Sequence, residues 1–160
     1  MAEPRPKESV WDYPRPPRVE PEPRRVRIEL GGETIADSTR ALRVLETASP
    51  PTIYVPREDV LEGALSAATG HNSFCEWKGH ADYHHVEAGG KRAEHAAWFY
   101  TEPRPGFEQL RDHVAFYAGR VDAAYLDDEP VTPQGGSFYG GWVTAEIEGP
   151  YKGEPGSEGW

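Results

Sequence analysis

From Arg25 onward the chain alternates. In "VRIELGGETIAD", Val26, Ile28 and Leu30 fall on one side and Arg27 and Glu29 on the other, the period-two pattern of a half-buried strand. Gly31-Gly32 then supplies the positive φ that a two-residue hairpin turn needs. The same grammar returns in "YHHVEAGGKRAEHAAW", where Gly89-Gly90 separates two runs. This weak internal repeat predicts a meander of hairpins. Further strands are predicted over Ala41–Thr47, Thr52–Val55, Ala96–Tyr100, His113–Tyr117 and Asp122–Leu126, with "WVTAEI" as one more near the C-terminus. "REDVLEGAL" and "GFEQLRD" suit one or two helical turns, and neither sustains a 3.6-residue period. The fold class expected is mainly β: small antiparallel sheets of hairpins with short helical turns.

Both ends differ from this middle. Residues 1–24 carry seven of the sixteen prolines and read as a proline-rich arm, extended or disordered, unable to form a helix or a central strand. Within the arm, Trp11 and Tyr13 stand beside prolines that stiffen the chain, which would let them dock at low entropic cost. Residues 127–160 form an extension rich in glycine and aromatics, with Phe138, Tyr139, Trp142, Tyr151 and Trp160 expected to pack. The expected organisation is therefore an arm over 1–24, a β domain over 25–126 and an extension over 127–160.

Composition narrows the function. A formal net charge of −10 argues against nucleic acid and against an anionic membrane surface as partners. A single cysteine excludes an internal disulfide. With no long apolar run and a polar, proline-rich N-terminus, the expected location is the cytoplasm.

Candidate chemistry concentrates in "SFCEWKGHADYHH", Ser73 to His85. Structural zinc needs four Cys or His ligands, commonly in close pairs, and one cysteine cannot supply them; neither a metal nor a cofactor is expected. His80, Asp82 and His84 would share one face of a strand, more in keeping with a solvated face than a metal site. Cys75 could act as a nucleophile with Lys78 or His80 nearby, although a free cysteine is usually buried and inert. Lys78-Gly79 reads as a turn that places a cation beside aromatics. Arg57, Glu58 and Asp59 form a second polar cluster after a strand, and Trp77, Tyr83, Trp98, Tyr100 and Tyr117 are candidate walls of a cleft. Glu46 reads either as an acceptor for Arg43 or Arg57 or as a plain strand-end carboxylate.

"VRIELGGETIADSTRALRVLETASPPTIYVPREDV", "CEWKGHADY", "AAWFYTEPRP" and "HVAFY", in that order, resemble the bacterial family known as domain of unknown function 427 over Arg25 to Leu126. The flanking "SVWDYPRPPR" and "GGSFYGGW" resemble a longer subgroup of it. The resemblance implies a small β fold, comparable with the β-tent of methionine sulfoxide reductase B, and no established activity. It also implies a nucleotidyltransferase label, which the residues support weakly. The nearest Gly-Ser, Gly136-Ser137, follows rather than precedes the acidic run Asp127-Asp128-Glu129, and there is no phosphate-cradling loop.

Three readings follow. The first is a small-molecule binding domain for a polar or anionic ligand, with Arg57, Glu58, Lys78, Tyr83 and Trp98 around an aromatic cleft. The second is an enzyme on a small nucleotide-like substrate, with Cys75 or Glu58 as the catalytic group. The third is an interaction module, a homodimer included, working through the aromatic arms.

Overall fold

The computed structural model describes residues 5–75, 77–134 and 140–152, with residues 69–71 described by their backbone alone. Alternation becomes architecture directly. Strand β3 (Val26–Leu30) buries Val26, Ile28 and Leu30 and leaves Arg27 and Glu29 half-buried. It pairs with β4 (Glu33–Ser38) through the Gly31-Gly32 turn, whose φ values of 62° and 81° lie in the left-handed region. A bulge in this hairpin places Ile35 and Ala36 both inside, breaking strict alternation. With β11 (Ala123–Leu126) and β12 (Glu129–Pro130) these strands form a four-stranded sheet in the order β12-β11-β3-β4.

The larger sheet has seven strands, β2-β5-β6-β10-β9-β8-β7 in spatial order. They are β2 (Arg18–Glu22), β5 (Ala41–Leu45), β6 (Thr52–Pro56), β7 (Leu65–Cys75), β8 (Gly79–Ala88), β9 (Lys91–Phe99) and β10 (His113–Phe116). Strand β2 comes from the proline-rich arm. Pro21 is tolerated there because β2 is an edge strand, where one side of the backbone needs no ladder partner.

Side chains on the two faces of this sheet separate by type. One face, with Ile53, Val55, Val86, Val114 and Phe116, packs with Ile28, Ile35 and Leu126 of the smaller sheet into an aliphatic core. The opposite face carries Tyr54, Tyr83, Trp98, Tyr100 and Tyr117. Strand period alone explains the split, since Tyr54 lies between Ile53 and Val55, and Ala115 between Val114 and Phe116.

Helical structure among the described residues is limited to 3-10 turns. "REDVLEGAL" yields one turn at Arg57–Asp59 and "GFEQLRD" one at Glu108–Leu110. "WVTAEI" is not one strand. It splits into β14 (Trp142–Val143), paired with β13 (Thr132–Pro133), and β15 (Ile147–Glu148), paired in parallel with β1 (Glu8–Ser9). The bond from Ile147 N–H to Thr144 O turns the chain between them.

The two ends meet on the domain. Val10 and Tyr13 are buried with Leu45 and Ile147, and Tyr151 packs against this third cluster. Trp142 is 1% exposed in the aliphatic core, and its indole N–H donates to Phe116 O at 3.0 Å. Trp11 stays 44% exposed, although its indole N–H donates to Pro150 O at 2.9 Å. Phe138, Tyr139 and Trp160, also expected to pack, lie outside the described residues.

Candidate functional site

The aromatic face has a defined register. Direct strand neighbours run Leu42, Tyr54, Ala115, Trp98, Tyr83, Ala68 across six adjacent strands. Directly paired residues project to the same side, so these six make one row across the sheet. Ala115, the smallest member between two large rings, lets Tyr54 and Trp98 meet edge to face at 6.2 Å, and the Trp98 indole N–H donates to the Tyr54 hydroxyl at 3.2 Å. Tyr100 and Tyr117 stand beside the row, with ring centroids 6.4 Å from Tyr54 and 4.6 Å from Trp98 respectively.

Above this row lies a cavity of about 200 Å³. Its aromatic wall is Tyr54, Tyr83, Trp98, Tyr100 and Tyr117, and Ser73, Phe74 and Cys75 of β7 line it together with Lys78 from the following turn. Glu46, Gln134, Gly140 and Lys152 close another side. The Glu46 carboxylate faces the Lys152 ammonium at 4.0 Å, so neither Arg43 nor Arg57 is its partner. Gly140 is tight against Trp98: a Cβ there would overlap the indole ring.

Lys78 is the unusual member. It is 8% exposed, and among the described residues its Nζ has neither an ion pair nor a hydrogen bond. Its Nζ lies over the Tyr100 ring, 6.0 Å from the centroid. Burial pulls the Lys78 ammonium toward neutrality, while Tyr54, Cys75 and Glu46 pull it the other way, for a net direction upward. A buried cation is expensive to the fold unless a partner compensates it.

The hydroxyls are organised as donors. Burial, and then hydrogen bonding and charge from neighbouring phenols, push Tyr100 and Tyr117 well above the usual phenol range, so both keep their protons. The neighbouring phenols responsible are Tyr54 for Tyr100 and Tyr83 for Tyr117, and the Tyr83 hydroxyl lies 3.0 Å from Ser73 Oγ. Tyr54 and Ser73 carry no special composition signal. Their place follows from which register the strands adopt.

The residues proposed from sequence divide into two groups. Lys78, Tyr83, Trp98 and Cys75 come together around the cavity. Cys75, expected to be mostly buried, is partly exposed. Arg57 and Glu58 do not line it. Glu58 sits at the surface, 70% exposed, paired with Arg40 at 2.9 Å. Arg57 lies over the Phe99 ring at 4.8 Å and bonds His84 Nε2 at 2.9 Å. His84 Nδ1 lies 3.1 Å from Ser66 O, which fits a neutral imidazole donating from Nδ1 and accepting from the guanidinium at Nε2. Burial first, then the Arg57 charge, hold its pKa below the usual histidine value against the opposing Ser66 bond. His84 is thereby tied to Arg57, and among the described residues no three His, Cys, Asp or Glu side chains could hold a metal ion together. Asp127 caps the backbone N–H of Arg25 at 2.9 Å and Glu129 that of Ala145 at 2.6 Å, both structural tasks.

Residues 18–127 match the model of a family described as a domain of unknown function, DUF427, whose label is NTP_transf_9. The chain belongs to the DUF427 family. No curated protein matches it. The DUF427 segment supplies the aromatic row and Lys78, whereas Gln134, Gly140 and Lys152 come from the chain that follows it. Among the described residues no helix is long and apolar enough to cross a membrane.

Proposed function

We propose that this DUF427 protein is a cytoplasmic binding domain for a small polar or anionic molecule, held in the aromatic cavity with Lys78 as its charged contact. Lys78, nine-tenths buried and with no ion pair or hydrogen bond at its Nζ among the described residues, carries this reading. A desolvated ammonium lining a cavity suits a ligand that neutralises it, because a charge-assisted bond there contributes about 1.5–3 kcal/mol. The cavity of about 200 Å³ suits one ring with a substituent and is below the roughly 300–1,000 Å³ of sites for larger ligands. Glu58 lies too far outside to serve as a catalytic group for this cavity, so an enzyme reading would rest on Cys75. The N-terminal arm spends Val10 and Tyr13 within its own chain, so an interaction module would have to work through the exposed Trp11.

The test uses the full chain and its Lys78→Met variant. Ligand-observed NMR with single-ring acids and amides should find compounds that perturb the cavity indole and phenols. The variant should melt at a higher temperature, because a buried charge has become an apolar group of similar length, and it should lose the acidic ligands. If no ring compound perturbs these residues, or the variant binds as the parent does, the reading is wrong.

A further inference from the structure

We infer that the ligand is a planar aromatic ring bearing one carboxylate, with the carboxylate on Lys78 and the ring among the tyrosines and Trp98. This deepens the reading of the cavity as a binding site and rests on it.

Charge gives the first reason. Among the described residues, the ionic groups that line the cavity are Lys78, Lys152 and Glu46. Glu46 faces Lys152 at 4.0 Å and also acts on Lys78, so the three groups together carry one net positive charge. With Lys78 buried, that charge sits in a low-dielectric setting, and one negative charge balances it. A phosphate dianion would instead bring a second charge into a cavity walled by aromatics, with no second free cation among its lining residues.

Hydrogen-bond arithmetic gives the second. An ammonium offers three protons and no lone pair. The Tyr54 oxygen already accepts the Trp98 indole N–H, and among the described residues nothing accepts from the Tyr54 hydroxyl, so its proton is left to give. The Lys78 end of the cavity is rich in donors, and a carboxylate, all acceptor, is the complementary group. A neutral amide or nucleobase edge would bring N–H donors of its own, for which Lys78 offers nothing.

Shape gives the third. The Tyr54 and Trp98 planes stand at 84°, and Trp98 meets Tyr117 at 49°, so the wall presents both ring faces and ring edges. Such a wall rewards a flat ring by about 0.5–1.5 kcal/mol per well-placed aromatic contact, beyond the area it buries. An aliphatic acid would gain the charge contact without this term.

Calorimetric titration of the intact protein with benzoate, benzamide and acetate separates these contributions. Benzoate is expected to bind at least tenfold tighter than either of the others, the equivalent of 1.4 kcal/mol. Lys78→Met should erase that preference and leave benzamide within about twofold of its parent affinity. Benzamide binding as tightly as benzoate to the parent protein would overturn the carboxylate, and acetate matching benzoate would overturn the ring; in both cases the cavity remains a binding site. If neither benzoate nor benzamide binds, and the cavity indole resonance does not move, the binding reading itself fails. The comparison of ligands on the parent protein decides the matter even if Lys78→Met folds poorly.

Discussion

Gly31 and Gly89, the first residues of the two Gly-Gly turns, are packed backbone to backbone. A Cβ on Gly31 would overlap the Ala88 carbonyl, and one on Gly89 would overlap the Gly31 carbonyl. The two motifs that repeat in the sequence are therefore also neighbours in space, tying the four-stranded sheet to the seven-stranded one. Glu33 reinforces the contact by accepting from Gly89 N–H at 2.9 Å, and Asp122 by accepting from Gly31 N–H at 2.8 Å and from Lys91 at 2.8 Å. Gly31→Ala and Gly89→Ala combine a left-handed φ with a lost close approach, and each should cost about 2 kcal/mol or more. Gly32 and Gly90 share the positive φ but have open space where a Cβ would go. Gly32→Asn and Gly90→Asn should accordingly be mild, because Asn tolerates that conformation. Thermal melts of the four variants distinguish the two positions within each turn, and equal losses at all four would remove the case for turn-on-turn packing.

Acid should loosen the chain ends before the sheets. Glu8 accepts from the Tyr13 hydroxyl at 2.6 Å and pairs with Arg43 at 3.1 Å, while Glu146 pairs with Arg24 at 2.7 Å. Burial would raise both carboxyls, but hydrogen bonds and the arginines outweigh it and hold Glu8 and Glu146 below the ordinary glutamate value of 4.5. A carboxyl depressed in the folded state contributes fully above its unfolded value, and that contribution disappears as pH falls through the folded one. The stability difference between the full chain and a form lacking residues 1–17 should thus be constant down to about pH 5 and shrink below it. Melting temperatures of both forms across that range measure it. Glu146 and Arg24 stay in both forms, so a difference that is nil at neutral pH, or unchanged below the glutamate value, would show that the Glu8 contacts do not hold the arm.

The strands and hairpin turns were legible because period two and paired glycines are local signals. Lys78, Tyr83 and Trp98 were legible as a cluster for a related reason: a turn puts the lysine one residue before a strand whose alternation places Tyr83 on the inner side. Tyr54 was not, since "TIYV" says that it opposes Ile53 and Val55 and does not say which face is aromatic. That depends on the pairing of β6 with β10, whose sequence separation hides the register. Arg57 and Glu58 failed to join the cavity for the converse reason. They follow the end of β6, and the 3-10 turn at Arg57–Asp59 carries them to Phe99, His84 and Arg40, away from the row. Lys152 and Gln134, far along the chain, reach the site through tertiary bonds such as Lys152 N–H to Ala48 O and Gln134 Nε2 to Lys152 O, which no spacing in the sequence announces.

Ala115 tests whether the row is the floor of the site. It is fully buried between Tyr54 and Trp98, each its direct strand neighbour, and its methyl group is all that separates their first side-chain atoms across the sheet. In Ala115→Leu the added atoms must push the two rings apart, at about 1–3 kcal/mol of overpacking. For a chain of this size that lowers the melting temperature by roughly 2–4 °C per kcal/mol. The 3.2 Å bond from the Trp98 indole to the Tyr54 hydroxyl should break, shifting the Trp98 indole N–H resonance and exposing it to solvent exchange. Ala97→Val is the matched control, because Ala97 is equally buried but belongs to the aliphatic core on the other face. It should lose comparable stability while leaving the Trp98 indole resonance and benzoate affinity near their parent values. Ala115→Leu should lose both. Were Ala115→Leu to bind benzoate as the parent does, the ring could not be resting on the Tyr54–Trp98 pair, and the binding surface would have to be sought nearer Tyr100 and Tyr117.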